Sequence, residues 1–344
     1  MPVKTRKTEI SMLNILLCLM VVFIHVSSAP VSQLNKESFQ YVSVMVPWRL
    51  SAFVVQGFIF LSGLKFFIKG TENFNYLQFL KKRIKTIIIP YLIWVMVYYV
   101  YFCSIGYFPF SIKDYIIYVI NGSIVSPFYF IVAIVQFYVL MPLWIKLFSI
   151  IDKKILVALS FIIMILAKRY LPILIGDSFL YYDRIFTTYL FYWVFGCAAG
   201  LNYESFKNFA SKTFLFSASA FAIIAIANSY FSLQSFAHGQ YVPFLENLHV
   251  VYCIAAILFT FGLFTILSNK GIELNGLLKN IDASSFYIYL SHCFVMNIVN
   301  HIIELCGIYS IGKAYLIRFL CVYIITITLC VCYIKFKKKI LSRR

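Results

Sequence analysis

Long apolar runs recur along this chain, separated by short loops rather than by a soluble domain. A helix needs about 20 mostly apolar residues to cross a bilayer. Runs of that length lie at about residues 11–30, 48–68, 87–106, 127–147, 154–173, 185–203, 213–232, 249–268, 284–304 and 314–334. They predict an all-α, polytopic integral membrane helix bundle of about ten transmembrane helices, with residues 1–344 as a single transmembrane domain.

The composition and the charge pattern agree with a membrane protein. Hydrophobic residues make up 62% of the chain and charged residues 12%, whereas soluble proteins average about 45–50% and 25%. The net charge of +18 would suit nucleic-acid binding, but the Lys and Arg residues lie in short clusters between apolar runs. This is the positive-inside pattern, so a lipid membrane is expected as partner and no nucleic acid.

The same Lys and Arg residues predict the orientation. They concentrate before the first run, in every second connection and in the tail, as at residues 81–85 and 335–339. Such segments stay in the cytoplasm, so both termini are predicted to be cytoplasmic. Residues 111–123 predict an amphipathic helix on the outer face, and the external segments 32–46 and 233–246 are polar enough for a lid or an acceptor vestibule.

One imidazole, His25, lies well inside the first apolar run. An ionisable side chain within a spanning helix costs about 3 kcal/mol or more, and such residues usually serve a function. The alternative is a histidine that is hydrogen-bonded inside the bundle, or one close enough to the outer headgroups to stay hydrated. Nine cysteines lie mostly within apolar runs without metal-ligand spacing, so no metal site is expected.

A basic cluster that includes Lys82, Arg83 and Lys85 precedes the third run. One interpretation is the topology signal together with attraction to anionic headgroups, worth about 1 kcal/mol per residue. The other is a phosphate clamp, because Arg offers a planar charged fork and Lys a mobile point charge. Coenzyme A, which carries several phosphates, would suit such a clamp from the cytosol.

Two further polar side chains lie within apolar runs. His292 either shapes a site or is a hydrogen-bonding member of the bundle, and Gln136 is a candidate cavity liner. Small residues at Gly57, Gly63 and Gly196 to Gly200 suit close helix approach.

An ordered set of short motifs resembles the membrane acyltransferase-3 family, the O-acyltransferases of bacterial surface polysaccharides. The resemblance covers nearly the whole chain. Its motifs are residues 21–25 (VVFIH), 58–63 (FIFLSG), 79–83 (FLKKR) with 89–91 (IPY) and Trp94, 128–142 (FYF to Pro142), Gly196 with Gly200, and 287–292 (YIYLSH). The chain looks most like the branch with the enterobacterial common antigen O-acetyltransferase and the staphylococcal intercellular adhesion protein C, described as a polysaccharide exporter.

The resemblance implies transfer of an acyl group, most simply acetyl, from cytosolic acetyl-CoA to a glycan hydroxyl outside a bacterial cell (cytoplasmic) membrane. Acyl-CoA is then a donor substrate, and no permanently bound cofactor is implied. His25 matches the essential histidine of the family and would act as general base, since an imidazole has a pKa near ambient pH. Arg83 matches the first arginine of the cytoplasmic Arg-x-x-Arg motif and would hold the phosphates of coenzyme A.

Two positions depart from the family pattern. Asn14 stands where the family often has an arginine, eleven residues before the histidine, and Glu9 is the nearest acid. Thr86 stands in place of the second arginine of the cytoplasmic motif, with Lys85 the nearest cation. The departures predict altered donor binding, a different acyl group, or a protein that no longer catalyses.

These observations lead to one main hypothesis and two alternatives. The main hypothesis is a multi-pass O-acyltransferase that acetylates a capsular polysaccharide, an exopolysaccharide or a cell-wall glycan, with glycan synthase or export machinery as further partners. The first alternative is a polysaccharide export protein without acyl transfer. The second is an ion-coupled transporter, which would be expected to show internal pseudo-symmetry and broken helices at midplane.

Overall fold

The computed structural model describes residues 7–175 and 181–341, and within them every regular element is a helix. The α-helices of this part of the chain are α1 (Thr8–Gln33), α2 (Phe39–Ser51), α3 (Val54–Phe67), α4 (Tyr76–Arg83), α5 (Ile89–Ser104), α6 (Ile112–Asn121), α7 (Tyr129–Val139), α8 (Met141–Ile150), α9 (Lys153–Ile175), α10 (Leu190–Leu201), α11 (Tyr203–Lys212), α12 (Phe214–Phe236), α13 (Leu245–Asn269), α14 (Gly276–Leu305) and α15 (Ile311–Leu341). A π-helical turn, Ile84–Ile88, joins α4 to α5, and short 3₁₀ turns precede α7 and α10. The predicted all-α membrane bundle is confirmed.

Eight helical segments of the described chain are long and apolar enough to cross a membrane. They are Thr8–Gln33, Phe39–Phe67, Tyr76–Ser104, Lys153–Ile175, Phe214–Phe236, Leu245–Asn269, Gly276–Leu305 and Ile311–Ile340. The bent pair Ile112–Asn121 and Ser126–Val139, whose axes differ by 58°, would make a ninth span. The protein is therefore a multi-pass membrane protein.

Two of the ten predicted spans have no counterpart among these eight segments. The run at 127–147 is interrupted at Leu140, and α8 restarts with Pro142 in its first turn. Proline has no N–H to continue the preceding hydrogen-bond ladder, so a new helix begins there. The run at 185–203 forms the shorter apolar segment Phe186–Leu201, which opens with a 3₁₀ turn.

The two polar segments expected outside the membrane are each partly helical. Within residues 32–46, α2 begins at Phe39 with the Ser38 side chain accepting the Tyr41 N–H as its cap. The other segment contributes residues to the end of α12 and the start of α13. A lid or an acceptor vestibule formed by these two segments stays a prediction.

The amphipathic helix predicted at 111–123 is confirmed as α6. Ser111 caps its start by accepting the Asp114 N–H, and Gly122 ends it in the left-handed conformation with φ 62°. A glycine adopts that conformation without steric cost. The Tyr91 hydroxyl of α5 donates to the Val119 carbonyl at 2.7 Å. The location of α6 on the outer face stays a prediction.

The chain divides into two compact units. The first comprises residues up to Phe58 and from Glu204 onward, and the second comprises Ile59–Tyr203. The first boundary lies inside α3 and the second lies at the start of α11. The single domain expected over residues 1–344 stays a prediction.

In the first unit, α1, α14 and α15 pack against one another. Asn14 bonds to Asp282 and, further along both helices, His25 contacts His292, so α1 and α14 run in the same direction. α15 runs the opposite way, because Ser27 bonds to Tyr315 whereas the Tyr323 hydroxyl donates to the Leu19 carbonyl. The start of α1 and the end of α15 therefore lie at one end of this unit, as the predicted placement of both termini on one side requires.

In the second unit, glycines allow α3 and α10 to approach closely. A Cβ at Gly196 would overlap the Phe60 carbonyl oxygen, and one at Gly63 would lie 2.7 Å from that of Trp193. Real Cβ atoms do not come this near to backbone, so the packing role predicted for these small residues is confirmed.

Candidate functional site

The His25 and His292 imidazoles, from α1 and α14, lie side by side in the first unit. Their ring centroids are 5.2 Å apart and the ring planes are inclined by 41°. The parallel register of the two helices brings them together, because Asn14 and Asp282 meet eleven and ten residues earlier. The sequence identified both histidines but not their contact.

The two rings differ in their hydrogen bonding. His292 is 0% exposed, and its Nδ1 lies 3.1 Å from the Ile288 carbonyl oxygen. A carbonyl only accepts, so Nδ1 carries the proton and the Nε2 lone pair faces the Cys293 thiol at 3.4 Å. His25 is partly exposed and makes no hydrogen bond to any residue that the structure describes. His25 is therefore the imidazole with ring nitrogens available to a ligand.

A second polar contact joins α1 to α14 near their starts. The Asp282 carboxylate accepts from the Ser11 hydroxyl and from the Asn14 amide, both at 2.8 Å. The Asn14 amide also donates to the Ser285 hydroxyl at 2.9 Å. Asp282 is 8% exposed, so this group is a buried network that fixes the register of the two helices. Asp282 is not among the predicted site residues, although a carboxylate at the edge of an apolar run was an available signal.

Glu9, five residues before Asn14, belongs to a third contact. Its carboxylate lies 3.3 Å from the Lys207 ammonium of α11 and accepts from the Ser268 hydroxyl of α13. At 1.5 Å per residue, Asn14 and Glu9 lie about 16 and about 24 Å from His25 along α1. Their contacts are those of helix packing, and the site-shaping role expected for both stays a prediction.

In the second unit, Arg83 stacks on two aromatic rings. Its guanidinium carbon lies 4.9 Å from the centre of the Phe79 ring and 4.3 Å from that of Tyr138. Its Nε is buried and has no hydrogen-bond acceptor among the described residues. Stacking of this kind holds the guanidinium plane while its remaining N–H groups stay available to an anion.

The cations next to Arg83 are exposed, and a π-helical turn follows it. Lys82 and Lys85 both face outward, and Ile84–Ile88 forms the π-helical turn. Turns of this type are frequent at functional sites. The Thr86 hydroxyl donates to the Lys82 carbonyl at 2.8 Å, so the residue at the second arginine position of the motif is used within its own helix.

Gln136, expected to line a cavity, bonds to backbone groups of the second unit. Its Nε2 donates to the Arg184 carbonyl at 2.7 Å and its Oε1 accepts from the Phe186 N–H at 3.2 Å. These bonds hold the 3₁₀ turns before α10 against α7. A site-shaping role for Gln136 stays a prediction.

Of the eight predicted site residues, His25 and His292 are in mutual contact. They lie in the first unit with Asn14 and Glu9, whereas Arg83, Lys82, Lys85 and Gln136 belong to the second. Across residues 7–175 and 181–341, no three His, Cys, Asp or Glu side chains come together as metal ligands.

Comparison with known proteins places the chain in a family. A family model described as an acyltransferase domain, that of the acyltransferase-3 family, matches residues 8–335. Three relatives from Staphylococcus aureus strains Mu50, MSSA476 and MW2 are each named "Probable poly-beta-1,6-N-acetyl-D-glucosamine export protein". Each is 28% identical over 313 residues, which cover 86% of this chain and 83% of the relative. No solved structure matches at a significant level. The family match extends over both compact units, and the chain belongs to the acyltransferase-3 family of integral membrane proteins.

Proposed function

We propose that this protein is an O-acyltransferase that moves an acyl group, most simply acetyl, from cytosolic acyl-CoA to a glycan hydroxyl outside the bacterial cytoplasmic membrane. The observation that carries the proposal is His25. In a chain of an acyltransferase family, this partly exposed imidazole lies inside a candidate span without a hydrogen-bonding partner in the described chain. Such a group is suited to take a proton from a substrate.

In the proposed reaction, His25 acts as general base. Its imidazole removes the proton of the acceptor hydroxyl while that oxygen bonds to the thioester carbonyl carbon. The carbon–sulfur bond then breaks, and the proton passes from His25 to the coenzyme A thiolate. His292 supports the base by packing, since its own Nδ1 is engaged by the Ile288 carbonyl and its ring limits the motion of His25.

The donor side of the proposal uses the basic cluster of the second unit. Arg83, held by Phe79 and Tyr138, offers N–H groups for a phosphate, and Lys82 and Lys85 add mobile positive charge. These three residues suit the phosphates of acyl-CoA arriving from the cytosol. Their assignment rests on the resemblance at Arg83 and on this exposed positive charge.

The acceptor class is supported by the names of the relatives. These are described as export proteins of a poly-N-acetylglucosamine, so a surface polysaccharide is the proposed acceptor and glycan synthase or export machinery the proposed protein partner. The same names favour a second candidate function, polysaccharide export without acyl transfer. Capsular, exopolysaccharide and cell-wall glycans are all acceptors of the proposed kind.

The experiment measures ester-linked acetate on surface glycan in cells that lack the protein. The cells are complemented with wild type, His25→Ala, or His301→Ala, a control at an exposed histidine of α14. Wild type and His301→Ala are expected to restore the acetate, and a membrane-inserted His25→Ala protein is not. Equal restoration by His25→Ala would overturn the role of His25. Unchanged acetate together with glycan retained inside the cell would establish export instead.

A further inference from the structure

A group of buried polar side chains in the first unit is used neither by the proposed reaction nor by the α1–α14 contacts. Arg49 of α2 is 8% exposed, and its Nε donates to the Ser232 hydroxyl of α12 at 3.0 Å. Asn228, 0% exposed, lies one helical turn before Ser232 on the same face of α12. We refer to Arg49, Asn228 and Ser232 as the Arg49 cluster.

The Arg49 cluster contains buried hydrogen-bonding atoms without partners. Within the described chain, neither Arg49 Nη2 nor either polar atom of the Asn228 amide has a hydrogen-bond partner. The buried indole Nε1 of Trp48 also has no hydrogen-bond partner in the described chain. Trp48 and Arg49 both lie against the Phe236 ring. Buried polar groups are almost always paired, so orphaned polar atoms on α2 and on the adjoining turns of α12 mark a candidate site for a polar ligand.

The charge of Arg49 is also uncompensated. No carboxylate of the described residues lies within ion-pair distance of its guanidinium. Glu246, exposed at the start of α13, acts on it only through longer-range electrostatics. The Phe236 ring lies 5.6 Å from the guanidinium carbon and provides a cation–π contact. Charges inside membrane bundles pair with other groups or mark a binding path, because leaving them unpaired is costly.

We propose that the Arg49 cluster binds a ligand in which an anionic phosphate group lies next to a hydroxyl group. The Arg49 Nη2 and the Asn228 Nδ2 donate to anionic oxygens, and the Ser232 hydroxyl, which accepts from Arg49, still has its own proton to donate. The Asn228 Oδ1 is an acceptor and matches the hydroxyl of the ligand. This set of groups fits a phosphate ester of a polyol, found in an acidic phospholipid headgroup or in a soluble phosphate ester.

The Arg49 cluster lies at about the depth of His25. Arg49 is ten residues from the start of α2, and His25 is eight residues from the end of α1. At 1.5 Å per residue these positions lie about 15 and about 12 Å from the short connection that joins the two helices. The ligand would therefore enter from the side of that connection, the predicted outer side. The binding site does not depend on the proposed acyl transfer.

The test uses the full-length protein in nanodiscs of phosphatidylcholine, with two probes. One probe is phosphatidylglycerol included in the nanodisc, and the other is sn-glycerol 3-phosphate in solution. The measurement is the midpoint of thermal unfolding as a function of probe concentration. The variants are Arg49→Met, Asn228→Ala and a control, Arg318→Met, which removes a guanidinium whose Nε already donates to the Asn300 side chain.

For wild type and for Arg318→Met, the midpoint of thermal unfolding is expected to rise with the concentration of one of the two probes. A rise with phosphatidylglycerol identifies a lipid headgroup, and a rise with glycerol 3-phosphate a soluble ester. Arg49→Met is expected to weaken the apparent affinity at least tenfold and Asn228→Ala several-fold. Without probe, Arg49→Met is expected to unfold no earlier than wild type, because removing an uncompensated buried charge is neutral or stabilising.

Two results would overturn the site. One is an Arg49→Met protein that keeps the full dependence on the probe. The other is a wild-type midpoint that neither probe moves, which would leave a hydrated arginine without a phosphoryl ligand. If Arg49→Met unfolds earlier than wild type and Asn228→Ala keeps the probe dependence, Arg49 is a structural residue and the proposal also fails.

Discussion

Helices α1 and α14 meet at two polar contacts that differ in how completely they are hydrogen-bonded. At Asp282, the carboxylate accepts from Ser11 and Asn14, and the contact is buried. At His25, about 16 Å further along α1, the ring touches His292 and makes no hydrogen bond within the described chain. One helix pair thus has an end that holds the register and an end with an open imidazole. We expect the hydrogen bonds at Asp282 to hold the register that places His25 beside His292.

The largest expected effect is on catalysis at His25. A general base contributes about 10²–10⁴-fold to rate, so under the proposed function His25→Gln is expected to lower acyl transfer in membranes by about that factor. The thermal midpoint should stay near that of wild type, because the side chain makes no hydrogen bond that folding requires. A thermal midpoint of His25→Gln that falls together with its activity would show that His25, like Asp282, serves the stability of the helix pair.

The next effect in size is on stability at Asp282. Asp282→Ala removes the acceptor of the Ser11 hydroxyl and of one Asn14 bond, and buried donors without acceptors cost about 1–3 kcal/mol each. A loss of about 2–5 kcal/mol is expected, measured as an earlier unfolding midpoint in detergent. Asp152→Ala is the control, since Asp152 lies at the exposed start of α9, where it accepts the Lys154 N–H. Equal midpoints for the two variants would remove the distinction between the contacts.

The sequence predicted each end of this helix pair to a different extent. Apolar runs of sufficient length fixed the existence of α1 and α14, and the cost of an ionisable group in hydrocarbon drew attention to His25 and His292. The pairing of the two rings depends on how α1 and α14 slide against each other, and no local pattern encodes that register. Asp282 was missed because it lies two residues before the predicted run at 284–304.

The interruptions in the bundle were predicted least well. Hydropathy averages over about 20 residues, so one break at Leu140 or at Ala52 leaves the average almost unchanged. Gln136 looked like a cavity liner because its backbone partners, near Arg184, are distant in sequence. In contrast, Ser111 and Gly122 gave the bounds of α6 locally, through a side-chain cap and a left-handed glycine.

A smaller effect is expected from restoring the family arginine at position 14. Asn14→Arg would place a guanidinium beside the Asp282 carboxylate, where attraction and desolvation nearly cancel. A change in stability below about 1.5 kcal/mol is expected, whereas Asn14→Leu should lose about 1–3 kcal/mol because it removes two donated hydrogen bonds. Thermal midpoints of both variants check this. An Asn14→Arg protein less stable than Asn14→Leu would show that the contact depends on the shape of the amide rather than on its donors.

The smallest effect is expected at Glu9, the third polar contact of α1. Glu9→Gln removes the charge that faces Lys207 and keeps an oxygen for the Ser268 hydroxyl. Lys207 is partly exposed, so solvent screens the pair and a loss of about 1 kcal/mol or less is expected. Acyl transfer should stay within about twofold of wild type, because Glu9 lies about 24 Å from His25 along the helix. Lys207→Gln breaks the same ion pair from the other side. Acyl-transfer assays in membranes that compare it with Glu9→Gln distinguish a packing role of Glu9 from a role in the reaction. If Glu9→Gln abolishes acyl transfer while Lys207→Gln does not, Glu9 acts on the reaction itself, and α1 has a second functional residue near its start.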